Sequence, residues 1–281
     1  MRLVVTGAGG DLGRAFLRQV PAHHEVHAFD HAALDIGDHA AVRQVVEPLR
    51  ADAIMNFAAF TKVDENETDQ ARSFRDNAVG PQNLALAARA SDAVLLHVST
   101  DYVFDGAKGA PYDETDAPSP LSVYGRAKLA GERSVREIAP ESFVVRVGHV
   151  YGGGHDYLSS TVRRLADGEL VSGLADRWGS PTFVAHLAER LLPLVLTGRF
   201  GLYHLGGPEP ASWYEVLTRV HELAGSAGSV ERQLASELAL PAPRPVYSAL
   251  TSVLTPHLGI DPMPSLEEGL KDFLAVALDA S

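Results

Sequence analysis

The feature that most constrains this chain is its opening, Arg2-Leu3-Val4-Val5-Thr6 followed by Gly7-Ala8-Gly9-Gly10-Asp11-Leu12-Gly13. The first run is short, apolar and β-branched, as in a buried strand. Arg14 to Val20 reads as a helix. Strand, glycine turn and helix in that order make a glycine motif credible as a phosphate cradle. Glycines let the backbone approach a pyrophosphate, which then sits among free N–H groups at the helix N-terminus. The spacing here is G-x-x-G-x-x-G at 7, 10 and 13, with an extra glycine at 9, and not the G-x-G-x-x-G of many dehydrogenases.

A second strand, Glu25 to Asp30, ends in an acid. Asp30 stands where a carboxylate holds an adenosine ribose, which favours NADH. His31 beside it is compatible with a 2′-phosphate, so NADPH stays open. Asp35 and Ile36 fall where the adenine would lie.

Tyr124 and Lys128 lie four apart in Ser122-Val-Tyr-Gly-Arg-Ala-Lys128. On a helix that spacing puts both on one face. An ammonium about 4 Å from a phenol favours the phenolate by roughly 4 kcal/mol at an effective dielectric of about 20. The pair is therefore expected to hold the Tyr124 pKa below its usual value and yield a proton donor suited to neutral pH.

Apolar strands alternate with amphipathic helices, which indicates α/β architecture with a parallel sheet. Strands are expected at Ala53–Asn56, Ala93–Ser99 and Phe143–Val147. A long helix is expected from Asp69 to Arg89, interrupted near Gly80-Pro81. After Tyr151-Gly-Gly-Gly154 the period is less regular. The expected division is a dinucleotide-binding domain over 1–150 and a smaller, mixed substrate lobe over 151–281, with segments returning to the first domain. Helices are expected there near Tyr157–Ala166, Phe183–Leu196, Ser212–Ala224 and Ser265–Leu278.

The 281 residues carry a net charge of -12, which argues against a nucleic-acid or membrane surface. There is no cysteine, hence no disulfide, thiol nucleophile or thiolate metal site. The twelve histidines form no H-E-x-x-H or comparable cluster, so no required metal is expected. A first strand starting at residue 2 leaves no room for a signal peptide, and no apolar run reaches membrane-spanning length. A cytoplasmic location is expected; oligomeric state is not readable.

More of the chain carries a resemblance. T-G-A-G-G-D-L-G at 6–13, N-F-A-A-F-T-K-V-D at 56–64, S-T-D-Y-V-F-D-G at 99–106 and S-V-Y-G-R-A-K at 122–128 are similar to extended short-chain dehydrogenases/reductases. With G-S-P-T at 179–182 and R-P-V-Y-S-A-L at 244–250, the chain resembles the dTDP-4-dehydrorhamnose reductase family.

That resemblance implies a Rossmann-type doubly wound sheet and NADPH- or NADH-dependent reduction at C4 of a dTDP-linked 4-keto-6-deoxy sugar. It implies Tyr124 as proton donor, Lys128 as its electrostatic partner and nicotinamide-ribose ligand, and Thr100 as the hydroxyl on the reacting oxygen. Gly7, Gly10, Asp11, Leu12 and Gly13 would surround the pyrophosphate, and Ala58 and Ala59 would pass the cofactor closely. Thr61, Asp101 and Tyr102 match positions near the sugar. Asn77 is expected to brace the strands, and Arg244 to be solvated. His149 stands where the family commonly has tryptophan, as a substrate contact or a packed loop residue. The alternatives implied are another nucleotide-sugar ketoreductase, an epimerase or a dehydratase of the same superfamily, or a non-catalytic regulatory subunit such as that of methionine adenosyltransferase. Thr100-Asp101-Tyr102 lacks the glutamate of a dehydratase.

Overall fold

The computed structural model describes residues 1–279. Strands β1 (Arg2–Thr6), β2 (Glu25–Phe29), β3 (Ala53–Asn56), β4 (Val94–Thr100) and β5 (Ser142–Val147) lie in one parallel sheet. The strand Gly201–His204 extends that sheet beside β5, so the spatial order is Gly201–His204, β5, β4, β3, β1, β2. The chain builds outward from β1 to β2, then reverses and builds through β3, β4 and β5. The reversal leaves a crevice at the carboxyl ends of β1 and β3, the usual ligand position in such sheets.

Alternation along the strands makes two cores. Leu3 and Val5 pack with Met55, Leu96, Phe143 and Val145 on one face. Val4 packs with Ile54, Leu95 and Val144 on the other. The first core is covered by α1 (Asp11–Gln19), α7 (Tyr157–Ala166), α8 (Val184–Leu196), α9 (Trp213–Ala224) and α10 (Leu266–Asp279). The second is covered by α2 (His39–Val46), α5 (Gly80–Ser91) and α6 (Val123–Ile138). Phe16 of α1 is 1% exposed, and burying a side chain of that size contributes about 2 kcal/mol. The C-terminal half thus shares a core with the first strand.

The expected helix from Asp69 to Arg89 is present as contiguous helical turns over Gln70–Ser91, and the irregularity falls at Arg75–Val79, just before the expected Gly80-Pro81. A helix α3 already runs over Val63–Thr68, and α4 spans Gln70–Phe74. Asp69 separates α3 from α4 and starts the latter, its carboxylate capping the Arg72 N–H at 3.1 Å. The chain then widens into a π-turn over Arg75–Val79 before α5 begins at Gly80. Pro81 lies in the first turn of α5, where no N–H is needed, so it starts a helix without breaking one.

Candidate active site

The β1–α1 turn packs against the segment after β3 with no room for side chains. Gly7 has φ +72°, and a Cβ on it would fall 2.4 Å from the Ala58 nitrogen. A Cβ on Gly13 would fall 2.3 Å from the Gly7 carbonyl oxygen. Gly10 precedes α1 and offers no side-chain cap to its first-turn N–H groups. A cavity of about 540 Å³ opens beside this turn.

Gly7, Gly10, Asp30, His31, Asp35 and Ile36 line that cavity, with Ala58 and Ala59 on its other wall. Asp11, Leu12 and Gly13 do not line it as side chains. Gly13 is the packing contact under Gly7, and Leu12 packs toward the first core. The Asp11 carboxylate is held by Arg14 at 2.5 Å and by His155 at 3.1 Å. Only the backbone of these three can serve an anion at the helix start. One Asp30 oxygen accepts from the Ala33 N–H at 2.9 Å, which shapes the loop that carries His31. Asp35 is paired with Arg75. Arg72 also lines the cavity, with its guanidinium 4.1 Å from the Phe60 ring centroid. No motif signals it, because the contact depends on where α4 docks.

Thr100 ends β4, and α6 starts beside it. The Ser122 hydroxyl accepts from the Gly125 N–H at 3.1 Å, fixing where α6 begins and hence where Tyr124 points. Tyr124 and Lys128 are both buried on one face of this helix. The expected lowering of the Tyr124 pKa is corrected. Burial pushes the phenol above its ordinary value, with the Thr100 hydroxyl acting against it and the Asp101 charge adding to it. The Lys128 ammonium donates to the Val98 carbonyl at 2.7 Å, and burial brings its own pKa down to about 8. The i,i+4 spacing gives proximity along the helix. It carries no information on desolvation, and desolvation dominates both groups.

Tyr102 stands edge-on to Tyr124, with ring centroids 5.9 Å apart and planes at 74°. Its pKa is pushed up to about 12 by burial and by the Asp101 charge, with the Arg244 guanidinium opposing. Arg244 is not a solvated helix residue. It lies in a loop and grips Asp64 at 3.0 and 2.7 Å. Asn77 braces the loop after β3, accepting from the Phe60 N–H at 2.9 Å and donating to the Phe60 carbonyl at 3.0 Å. Thr61, next in that loop, is exposed.

Asp101 is 2% exposed, so its carboxylate is used inside the protein and not at a substrate surface. It accepts from Thr100 at 3.0 Å and from Ser248 at 2.5 Å, and burial raises its pKa to about 6. His149 has φ +46° and stacks on Trp213 at 5.1 Å with an 18° interplanar angle. Burial lowers its pKa to about 4, so it is neutral near pH 7 and does not titrate there. Neither Ser248 nor Asp64 was legible as part of the site. Each reaches it only through a tertiary contact, although Ser248 sits in the R-P-V-Y-S string.

The profile of the RmlD substrate binding domain family matches residues 1–278. The chain belongs to that family. The dTDP-4-dehydrorhamnose reductase of Mycolicibacterium smegmatis is 39% identical over 287 aligned positions, covering 100% of this chain and 87% of that protein. The dTDP-4-keto-6-deoxy-D-glucose reductase of Streptomyces niveus is 35% identical, covering 93% of this chain and 92% of that protein. The crystal structure of dTDP-4-dehydrorhamnose reductase from Bacillus anthracis in complex with NADP superposes with a TM-score of 0.94 at 35% identity, covering 98% of this chain and 99% of that one.

Proposed function

We propose that this protein reduces the C4 keto group of a dTDP-linked 4-keto-6-deoxy sugar, converting dTDP-4-dehydro-L-rhamnose to dTDP-L-rhamnose with NADPH or NADH. The observation that carries the reading is the meeting of Thr100 and Tyr124, with Lys128 one helix turn on, at the carboxyl end of β4. The names of the full-length relatives support the same substrate class. The glycine turn fits a dinucleotide, because its cradle excludes even a methyl group on the packed side and opens on the other. When bound, the dinucleotide supplies the hydride.

The side chains then have separate tasks. Tyr124, with its pKa raised, holds its proton at neutral pH and gives it to the sugar oxygen as negative charge develops there. Lys128 places a buried cation one helix turn away, and its field favours the phenolate left behind. Thr100 stands beside the phenol with its one hydroxyl hydrogen on Asp101, and it becomes the second group for that oxygen when this hydrogen turns from Asp101 to the bound sugar. Gly7, Gly10, Asp30, His31, Ala58 and Ala59 would hold the dinucleotide, with the α1 N-terminus on its pyrophosphate. Residues 1–150 act mainly as the dinucleotide domain and 151–281 mainly as the substrate lobe, in a cytoplasmic enzyme.

The test is turnover of enzymatically prepared dTDP-4-dehydro-L-rhamnose with NADPH and with NADH in parallel, followed by product analysis. Formation of dTDP-L-rhamnose matched to dinucleotide consumed supports the reading. Folded protein that binds dinucleotide and consumes none contradicts it.

A further inference from the structure

The segment Ala242 to Leu250 runs across the candidate site and is pinned along its length. The Ala242 N–H donates to Asp64 at 3.1 Å, and Arg244 grips the same carboxylate. The Trp178 N–H donates to the Val246 carbonyl at 2.9 Å, and the Ser248 N–H donates to the Trp178 carbonyl at 2.8 Å. The Tyr112 N–H donates to the Ala249 carbonyl at 2.8 Å, and the Leu250 N–H donates to the Ser180 hydroxyl at 2.9 Å. Ser248 lies buried within this pinned segment, and its hydroxyl is bonded to Asp101.

Asp101 is a buried carboxylate with a hydroxyl donor on each oxygen. Ser248 Oγ donates to Oδ2 at 2.5 Å, and Thr100 Oγ1 donates to Oδ1 at 3.0 Å. The Tyr102 N–H donates in turn to Thr100 Oγ1 at 3.2 Å. Ser248 makes the shorter bond and so carries more of the charge compensation. In the ligand-free site an ionised carboxylate accepts from both hydroxyls and so sets the side-chain position of Thr100 beside Tyr124, from which its hydrogen can turn to a bound sugar. A protonated carboxyl has an O–H of its own to place and releases one of the two.

We infer that Ser248 is a positioning residue for the proposed reduction, acting through an ionised Asp101 to hold Thr100 beside Tyr124. The inference rests on the functional reading above. It adds a contribution from the far end of the chain to a site otherwise built from β4 and α6. The groups that face Asp101 are the hydroxyls of Thr100 and Ser248, the phenols of Tyr102 and Tyr124, and the backbone of Gly148. Burial raises its pKa, and the two hydroxyls oppose that most, Ser248 ahead of Thr100, with the backbone N–H groups of Asp101 and Tyr102 adding to them. Its pKa of about 6 lies close enough to neutrality for the loss of one hydroxyl to matter.

The test uses Ser248→Ala and Ser248→Thr in the full chain. The Asp101 carboxyl is titrated by carbon NMR of aspartate-labelled, ligand-free protein, its resonance assigned with Asp101→Asn. Turnover is measured across pH in the same variants. In Ser248→Ala the carboxyl titrates at higher pH than in the wild type, and the acid limb of kcat moves up with it. At about pH 6, kcat falls at least about tenfold while the KM for the dinucleotide stays within about twofold. Ser248→Thr keeps the hydroxyl and restores both. A carboxyl titration that does not move overturns the inference. So does a kcat loss that is equal at every pH. If the wild type itself turns over no keto sugar, the functional reading fails and the inference falls with it. If the wild type turns over and Ser248→Ala matches it, only the inference fails.

Discussion

Arg244 and Asp64, separated by 180 positions in the chain, form a two-pronged ion pair at 3.0 and 2.7 Å. It joins a loop of the C-terminal half to α3, and the same guanidinium acts on the Tyr102 phenol. Asp64 is held below the usual carboxylate range, first by this hydrogen bond. The bond therefore adds stability above the ordinary carboxylate pKa and loses it as pH falls through the depressed value. Asp64 is partly open to solvent, so screening keeps the term small. A double-mutant cycle with Arg244→Met and Asp64→Asn should give a coupling of roughly 1 kcal/mol near neutral pH, vanishing in acid. Equal coupling at both pH values would count against an ion pair.

This bond marks where sequence reasoning stops. The strands, the glycine turn and the Tyr124 helix are local patterns, so they are legible from spacing. The contacts of Arg244 with Asp64 and of Ser248 with Asp101 depend on how a late loop lies across an early sheet. No periodicity encodes that. The Tyr124 pKa failed for a related reason. Charge spacing along α6 is written in the sequence, whereas the burial that outweighs it is set by the surrounding fold. His149 was visible as a departure from tryptophan, but its partner Trp213, on α9, was not.

Lys128→Met should lower turnover and raise thermal stability together. The wild-type ammonium is buried with its pKa brought down to about 8, so the native state releases this proton before the unfolded chain does. Between that value and the ordinary lysine pKa of about 10.5 the unfolded chain binds more protons, and stability rises with pH. Below pH 8 the full cost of the buried charge is present. Calorimetry should show a higher Tm for Lys128→Met at about pH 7 and a shrinking advantage toward pH 10. A lower Tm at neutral pH would mean that the bond to the Val98 carbonyl outweighs the desolvation cost.

Gly13→Ala should be more damaging than its position outside the cavity suggests. The added methyl would meet the Gly7 carbonyl oxygen at 2.3 Å and force α1 off β1. A stability loss of about 2 kcal/mol or more is expected, with dinucleotide affinity falling in parallel. Chemical denaturation and dinucleotide titration of the same preparation check both. An unchanged affinity would remove the β1–α1 turn from the cofactor site.

His149→Trp should change the KM for the sugar nucleotide by at least about threefold and leave that for the dinucleotide within about twofold. The imidazole stacks on Trp213, and we propose that this stack borders the sugar nucleotide. No change in either constant would assign His149 to loop packing alone.

The central claim is tested most directly by following the hydride. The reaction is run with dinucleotide carrying deuterium at the transferable position, with wild-type protein and with Tyr124→Phe. The account predicts a dTDP-L-rhamnose product with deuterium at C4, and at least about a hundredfold slower formation by Tyr124→Phe with dinucleotide affinity retained. A product without deuterium at C4, or a Tyr124→Phe protein as fast as the wild type, would contradict it.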